Sequence, residues 1–344
     1  MNCFERVNAA LSWQKPDRVP VIPQNSDMAM QHAGYSLIEG SHSGEMLADA
    51  LIQSQKEYGF DGIMLGPDAA ILAEAAGCKT EYRENNPPAI IGHAIEDLDE
   101  VDNLKPIDIQ KDGRMHAWIE ATKILKKEYG DSIFIISRAD QGAFDMAALI
   151  YGMDKLSIEL AMKTKPEQVR KLLEYGLDCH VRFADALKEA GADMVTCGDS
   201  YSGPTLIGPQ YYEEYSFPYE VRAVEQIEGE IGIPYSIHIC GETDAIHDIW
   251  PKTGAKMFEV DHLTDIKSLR RATLGKTAIL GNLDTVLLCN GTPAEVEADA
   301  KELIEFMMPD SGFILSSGCS MSGNSSKELL HTLVESAKKY GIYN

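Results

Sequence analysis

Apolar residues along the chain follow two alternating patterns, and that alternation carries most of the fold. Short runs apolar on both faces read as buried parallel strands: DGIMLG at 61–66, SIFIISRA at 132–139, ADMVTCGD at 192–199, IPYSIHIC at 233–240, AKMFEVD at 255–261, TAILGNL at 277–283 and GFILSSG at 312–318. Longer amphipathic stretches separate them. In KPEQVRKLLEYGLDCHVRFADALKEAG, Val169, Leu172, Leu173, Leu177, Val181, Phe183 and Leu187 recur at three- and four-residue steps, and Gly191 predicts the helix end. In TPAEVEADAKELIEFM, Thr292 is placed to cap a helix, with Pro293 in its first position and Glu295 at N3. Strands interleaved with helices in this order predict repeated βα units, and at this length a single (β/α)₈ barrel of the TIM type rather than a doubly wound sheet.

The opening of the chain departs from that rhythm. KPDRVPVIPQNSD is rich in proline and turn formers ahead of the helical GEMLADALIQSQKEYG. Residues 1–60 are therefore expected to form an N-terminal extension over the barrel mouth, with 61–344 as the barrel and the two together one domain. The polar stretch Arg83, Glu84, Asn85, Asn86, Pro87, Pro88 reads as a loop or small insertion.

Charge and cysteines narrow the function. Thirty-one basic side chains against 54 acidic ones give a formal charge of −23, which repels both a phosphate backbone and anionic lipid. The N-terminus, MNCFERVNAALSWQKPDRVP, mixes both signs of charge where a secretory signal needs an unbroken apolar core, and no apolar run reaches the roughly 18 residues of a membrane span. A cytoplasmic protein with neither nucleic acid nor membrane as partner is expected. Seven scattered cysteines, an odd number, suit free thiols and some thiolate ligands better than a disulfide framework.

Polar and thiol groups gather where the strands end: Arg138 and Asp140, Cys197 and Asp199, His238 and Cys240, Glu259 and Asp261, Asn282 and Asp284, and Cys319. Six strands ending this way imply one site at the C-terminal face of a barrel, where the βα loops converge. His238 and Cys240, two residues apart on one strand, point to the same side and can share an ion. Cys319, 79 positions later, can close the set from a neighbouring stave. A His, Cys, Cys shell with room for a further ligand is a pattern of catalytic zinc, and thiolates favour zinc over magnesium or calcium. The alternative, two ordinary buried cysteines and a satisfied core histidine, is left open by spacing alone. Asp199 and Glu259 are the carboxylates expected to act at the same mouth, as a metal ligand, a group orienting the imidazole or a proton acceptor.

HICGETDAIHDI followed by ILSSGCSMSGNSS resembles the H-x-C-G and distal G-C of the uroporphyrinogen decarboxylase-like superfamily, in its zinc methyltransferase branch. The likeness extends through LSWQKPDRVPV, ILAEAAGC, EAGADMVTCGDSYSG, LIGPQYYEEYSFPY, AILGNLD and the final ESAKKYG. It implies a zinc enzyme that moves a methyl group to or from cobalamin. No D-x-H-x-x-G signature of cobalamin-binding modules is present, so the corrinoid is expected on a separate corrinoid protein docking over the mouth. RADQGAFDMAALIYGM and YSGPTLIGPQYYEEYSFPY incline the expected substrate towards a methoxylated compound, with Met146, Met153, Tyr201, Tyr211, Tyr212 and Phe217 as candidate pocket residues. Methyl transfer to a thiol such as coenzyme M is the alternative, and a non-catalytic zinc-binding or corrinoid-escort protein is a third. Decarboxylases of the superfamily grip a polycarboxylate with arginines after the N-terminal R-x-P. Here Pro23, Gln24, Asn25 and Asp27 stand there, which argues against uroporphyrinogen as substrate. The sequence is compatible with a homo-oligomer and does not fix the oligomeric state.

Overall fold

A computed structural model describes residues 1–66 and 68–343. Seven strands form one parallel curled sheet in the order β1 (Gly62–Leu65), β4 (Phe134–Arg138), β5 (Met194–Gly198), β6 (Tyr235–Ile239), β7 (Met257–Val260), β8 (Ala278–Leu283) and β9 (Phe313–Ser317). Each lies inside one of the seven runs read from the sequence. Every residue of these strands is buried except Asn282, as a sheet covered by helices on one side and closed on itself requires.

The gap between β9 and β1 is bridged by the N-terminal segment. Val21 pairs in parallel with Leu315, the Ile22 amide donates to the Leu315 carbonyl at 3.0 Å, and the Asp61 amide donates to the Val21 carbonyl at 2.8 Å. Prolines 20 and 23 kept this piece from reading as a strand, since each removes a ladder donor. It is anchored at the N-terminal end of β1 by Asp61, which is fully buried. That carboxylate accepts from Arg6 at 2.6 Å, from Arg18 at 2.7 and 2.9 Å, and from the Val21 amide at 2.8 Å.

Alternation along the strands divides the interior. Phe134, Ile136, Met64, Met194, Met257, Ala278, Leu280 and Ile314 pack together with Ile22, Val7 and Leu11, so the helix Cys3–Leu11 plugs the N-terminal end of the barrel. Further along the same inward faces come Arg138, Thr196, His238 and Glu259, so the C-terminal end of the lumen is polar. Outward residues pack on the helices, among them Pro166–Ala190, whose buried stripe includes Val169, Leu172, Leu173, Leu177, Phe183 and Leu187 and which ends at Gly191 with φ 105°. The helix Pro293–Met307 starts with the anticipated capping box between Thr292 and Glu295.

The polar stretch at 83–88 is not a plain loop. Lys79–Arg83 (β2) and Asn86–Gly92 (β3) form an antiparallel hairpin, with Asn86 beside the turn. Alternating half-exposed side chains on a two-stranded ribbon give too weak a period for the sequence to reveal it. No helix among the described residues is long and apolar enough to cross a membrane.

Candidate metal centre

Three side chains from two strands of the sheet, the central one and an edge one, meet at the C-terminal mouth. His238 is carried by β6, Cys240 follows it, and Cys319 follows β9. The imidazole nitrogen and the two sulfurs lie within 4.8 Å of one another. Cys319 Sγ is 3.8 Å from His238 Nε2 and 3.8 Å from Cys240 Sγ. Strands β7 and β8 separate β6 from β9, so Cys319 reaches the others across the mouth and not from an adjacent stave as its sequence position suggested.

The local bonding prepares these atoms for an ion. His238 Nδ1 lies 3.1 Å from the Glu259 backbone carbonyl, so that nitrogen carries the proton and Nε2 presents its lone pair to the sulfurs. An imidazole ligating a metal holds its other nitrogen in this way. Hydrogen bonding from the Cys240 thiol and from the neighbouring His238 holds the Cys319 thiol well below the usual thiol range. Cys240, bonded to Cys319 and partly buried, is raised, so one thiolate and one thiol share the pair. Burial pulls the His238 imidazole down, but the Cys319 sulfur outweighs it and leaves it raised. A soft, partly anionic N, S, S set of this shape fits a thiophilic divalent ion such as zinc.

The carboxylates are arranged otherwise than the strand-end reading expected. Glu259 is fully buried, and its carboxylate accepts from Arg138 at 2.9 Å and from the Thr196 hydroxyl. Its contribution to the imidazole comes through its backbone carbonyl. Asp199 accepts from the Asp145 amide at 2.8 Å and from Ser216 at 3.0 Å. It belongs to a buried acidic group with Asp145 and Glu220, in which burial raises all three carboxyls. The carboxylate that does reach the ligands is Asp261, whose Oδ2 is 3.1 Å from Cys240 Sγ and whose Oδ1 is 3.0 Å from His262 Nδ1. The register signals it: His238 pairs with Glu259 across β6 and β7, so the next inward positions, Cys240 and Asp261, are level.

Cys197 is buried against the Tyr235 hydroxyl at 2.8 Å. Met146 and Tyr212 are fully buried, the latter donating to Glu220 at 2.6 Å, so both belong to the core and not to a pocket wall. Gln24 and Asn25 are buried too, with Asn25 Nδ2 donating to Ser54 at 2.9 Å.

A family model described as uroporphyrinogen decarboxylase (URO-D) matches residues 3–340. The chain belongs to this family. Within it, the methylcobamide:CoM methyltransferase MtbA of Methanosarcina mazei is 30% identical over 342 residues, covering 98% of this chain and 97% of the relative. A methylated-thiol–coenzyme M methyltransferase of the same organism is 25% identical over 346 residues, with 99% and 90% covered. Among solved structures, a methyltransferase from Methanosarcina mazei superposes with a TM-score of 0.88 at 21% identity, covering 99% of both chains, which shows the shared barrel. The family resemblance and the barrel expected from the sequence are both borne out. This member of the uroporphyrinogen decarboxylase family is an enzyme of the corrinoid-dependent methyltransferase kind.

Proposed function

We propose that this enzyme is zinc-dependent and moves a methyl group between the cobalt of a corrinoid carried by a separate protein and the sulfur of a small thiol. The observation that carries the reading is the convergence of His238 Nε2, Cys240 Sγ and Cys319 Sγ within 4.8 Å at the barrel mouth. The names of the relatives, methylcobamide:CoM and methylated-thiol–coenzyme M methyltransferases, support the thiol side. The methoxylated substrate drawn from the sequence has no such support.

Zinc bound by these three residues would lower the pKa of a substrate thiol, so that the thiolate needed to take a methyl group from cobalt is present at neutral pH. The protein's own groups do the rest. The Glu259 carbonyl fixes the imidazole tautomer through Nδ1, and the Arg138 and Thr196 bonds to the Glu259 carboxylate hold that part of β7 in place. Asp261 stands 3.1 Å from Cys240 Sγ, placed to receive the proton released when that thiol becomes a thiolate.

The test is turnover of methylcobalamin with a panel of thiols, followed by the change in the cobalamin spectrum, in zinc-loaded and chelator-stripped protein. Thiol-dependent loss of methylcobalamin that needs zinc is the expected result. A rate no faster than the protein-free control with every thiol would overturn the reading.

A further inference from the structure

Beside the metal centre, the mouth holds a cavity of about 390 Å³ between the hairpin tip, the helix Thr285–Asn290 and the loop after Cys319. Its walls include Asn86, Thr285, Val286, Ser320 and Ser322, and Asp27 forms part of its lining. Ser320 follows the candidate ligand Cys319 directly, so one peptide bond joins a wall of the cavity to a candidate ligand.

Asp27 is unusual within this cavity. Its side chain is buried, only 8% exposed, yet Oδ1 has no hydrogen-bond partner among the described residues. Burial, with Asp68 nearby, pushes its carboxyl up to about 8. Asp68 gives it no relief, because Arg114 already holds that carboxylate at 2.7 and 3.2 Å. A buried oxygen left unpaired costs about 1–3 kcal/mol unless something supplies a donor. Among the described residues, none that lines the cavity is a lysine, arginine or histidine. Arg138, on the inward face near the ligands, is bonded to Glu259 and faces Asp140. In a second cavity, about 400 Å³, the charged groups that could hold a tail are already paired: Asp265 and Asp284 cap helices, Lys267 bonds to Glu302 at 3.0 Å and His262 Nδ1 lies 3.0 Å from Asp261.

We infer that the Asp27 cavity receives the non-reacting end of the thiol substrate and selects a tail bearing a hydrogen-bond donor, an ammonium or a hydroxyl, against an anionic one. The inference rests on the thiol reading above and adds a departure from it: the sulfonate of coenzyme M, 2-mercaptoethanesulfonate, would meet a carboxyl and no cation. An ammonium or hydroxyl tail supplies the donor Oδ1 lacks. Burying a sulfonate there without a counter-charge is unfavourable.

The experiment titrates zinc-loaded protein calorimetrically with cysteamine, 2-mercaptoethanol, 2-mercaptoethanesulfonate and the three-carbon homologue of each. Dissociation constants are compared at equal thiolate concentration, and turnover with methylcobalamin is measured in parallel. The donor-tailed thiols should bind at least about tenfold more tightly than the sulfonates, the scale of one hydrogen bond. The two donor tails distinguish an ammonium ligand from a hydroxyl one. Asp27→Asn should narrow that gap about tenfold while zinc content stays unchanged. Val286→Arg, at a lining position 62% exposed and so without risk to the fold, should tighten sulfonate binding. Sulfonates binding as tightly as the other thiols, or a gap untouched by both variants, would overturn the inference while leaving thiol methylation standing. No turnover with any thiol would remove both.

Discussion

The sharpest test of the site's construction is Glu259→Gln. The substitution keeps the volume and one carbonyl oxygen but removes the charge that faces Arg138 at 2.9 Å in a fully buried position. Leaving a buried ion unpaired costs about 3–5 kcal/mol. Asp140 still faces Arg138, and the amide can accept one of the two former bonds, which brings the cost to the low end of that range or just under it, about 2–3 kcal/mol. For a chain larger than 250 residues each kcal/mol moves the melting temperature by roughly 2 °C, giving a fall of about 4–6 °C. Zinc should respond less. The atom that orients His238 is the Glu259 backbone carbonyl, which the substitution leaves in place, so zinc affinity should change by less than about tenfold, below the usual loss for an orienting side chain. Thermal unfolding by circular dichroism and competition against a zinc chelator measure the two quantities on the same preparation. An unchanged melting temperature together with a zinc affinity lost by tenfold or more would refute this account and make the Glu259 carboxylate a metal ligand.

Other expectations concern the ligands, the N-terminal anchor, a buried imidazole and substrate choice. His238→Ala, Cys240→Ala and Cys319→Ala should each reduce zinc from about one ion per chain towards zero with little loss of secondary structure, and metal analysis in which two of the three variants stay fully loaded would show the ligand set to be wrong. Asp61→Ala strands Arg18 and leaves Arg6 with Asp17 alone, and should cost about 3 kcal/mol in urea unfolding; a loss under 1 kcal/mol would show that Arg18 finds solvent instead. Burial lowers the His180 imidazole to about 4, although its ring nitrogens meet the Ala139 carbonyl and the Tyr235 hydroxyl. The unfolded chain, with an ordinary histidine near 6.5, then binds the extra proton first, so stability is full above pH 6.5 and falls as the pH drops towards 4. Between pH 7 and 5 the native protein should lose about 2 kcal/mol more than His180→Gln, and parallel pH dependences would contradict that. Uroporphyrinogen should not be decarboxylated, since Gln24 and Asn25 are buried; formation of coproporphyrinogen at an enzymatic rate would count against the assignment.

What the sequence determined by itself were the features set by local rules. Period and β-branching marked all seven strands because each is buried on both faces, and capping chemistry at Thr292 and the glycine at 191 marked helix ends because those signals need only neighbouring residues. The pair His238 and Cys240 was legible for the same reason, since two positions on one strand must share a face. Only the closed sheet decided the rest. Cys319 joins the pair because curling brings the end of β9 back across the mouth towards β6, a distance that no spacing in the sequence encodes. Asp261 reaches Cys240 because the β6–β7 register sets them level, while Glu259, one inward position deeper, is claimed by Arg138 from a strand 121 residues away. Asp199 ends its strand as plausibly as Asp261, yet its carboxylate is taken by Asp145 and Ser216. Which carboxylate faces the sulfurs was settled by depth along the barrel axis and by the partners found there, and both are properties of strands brought together from across the whole chain.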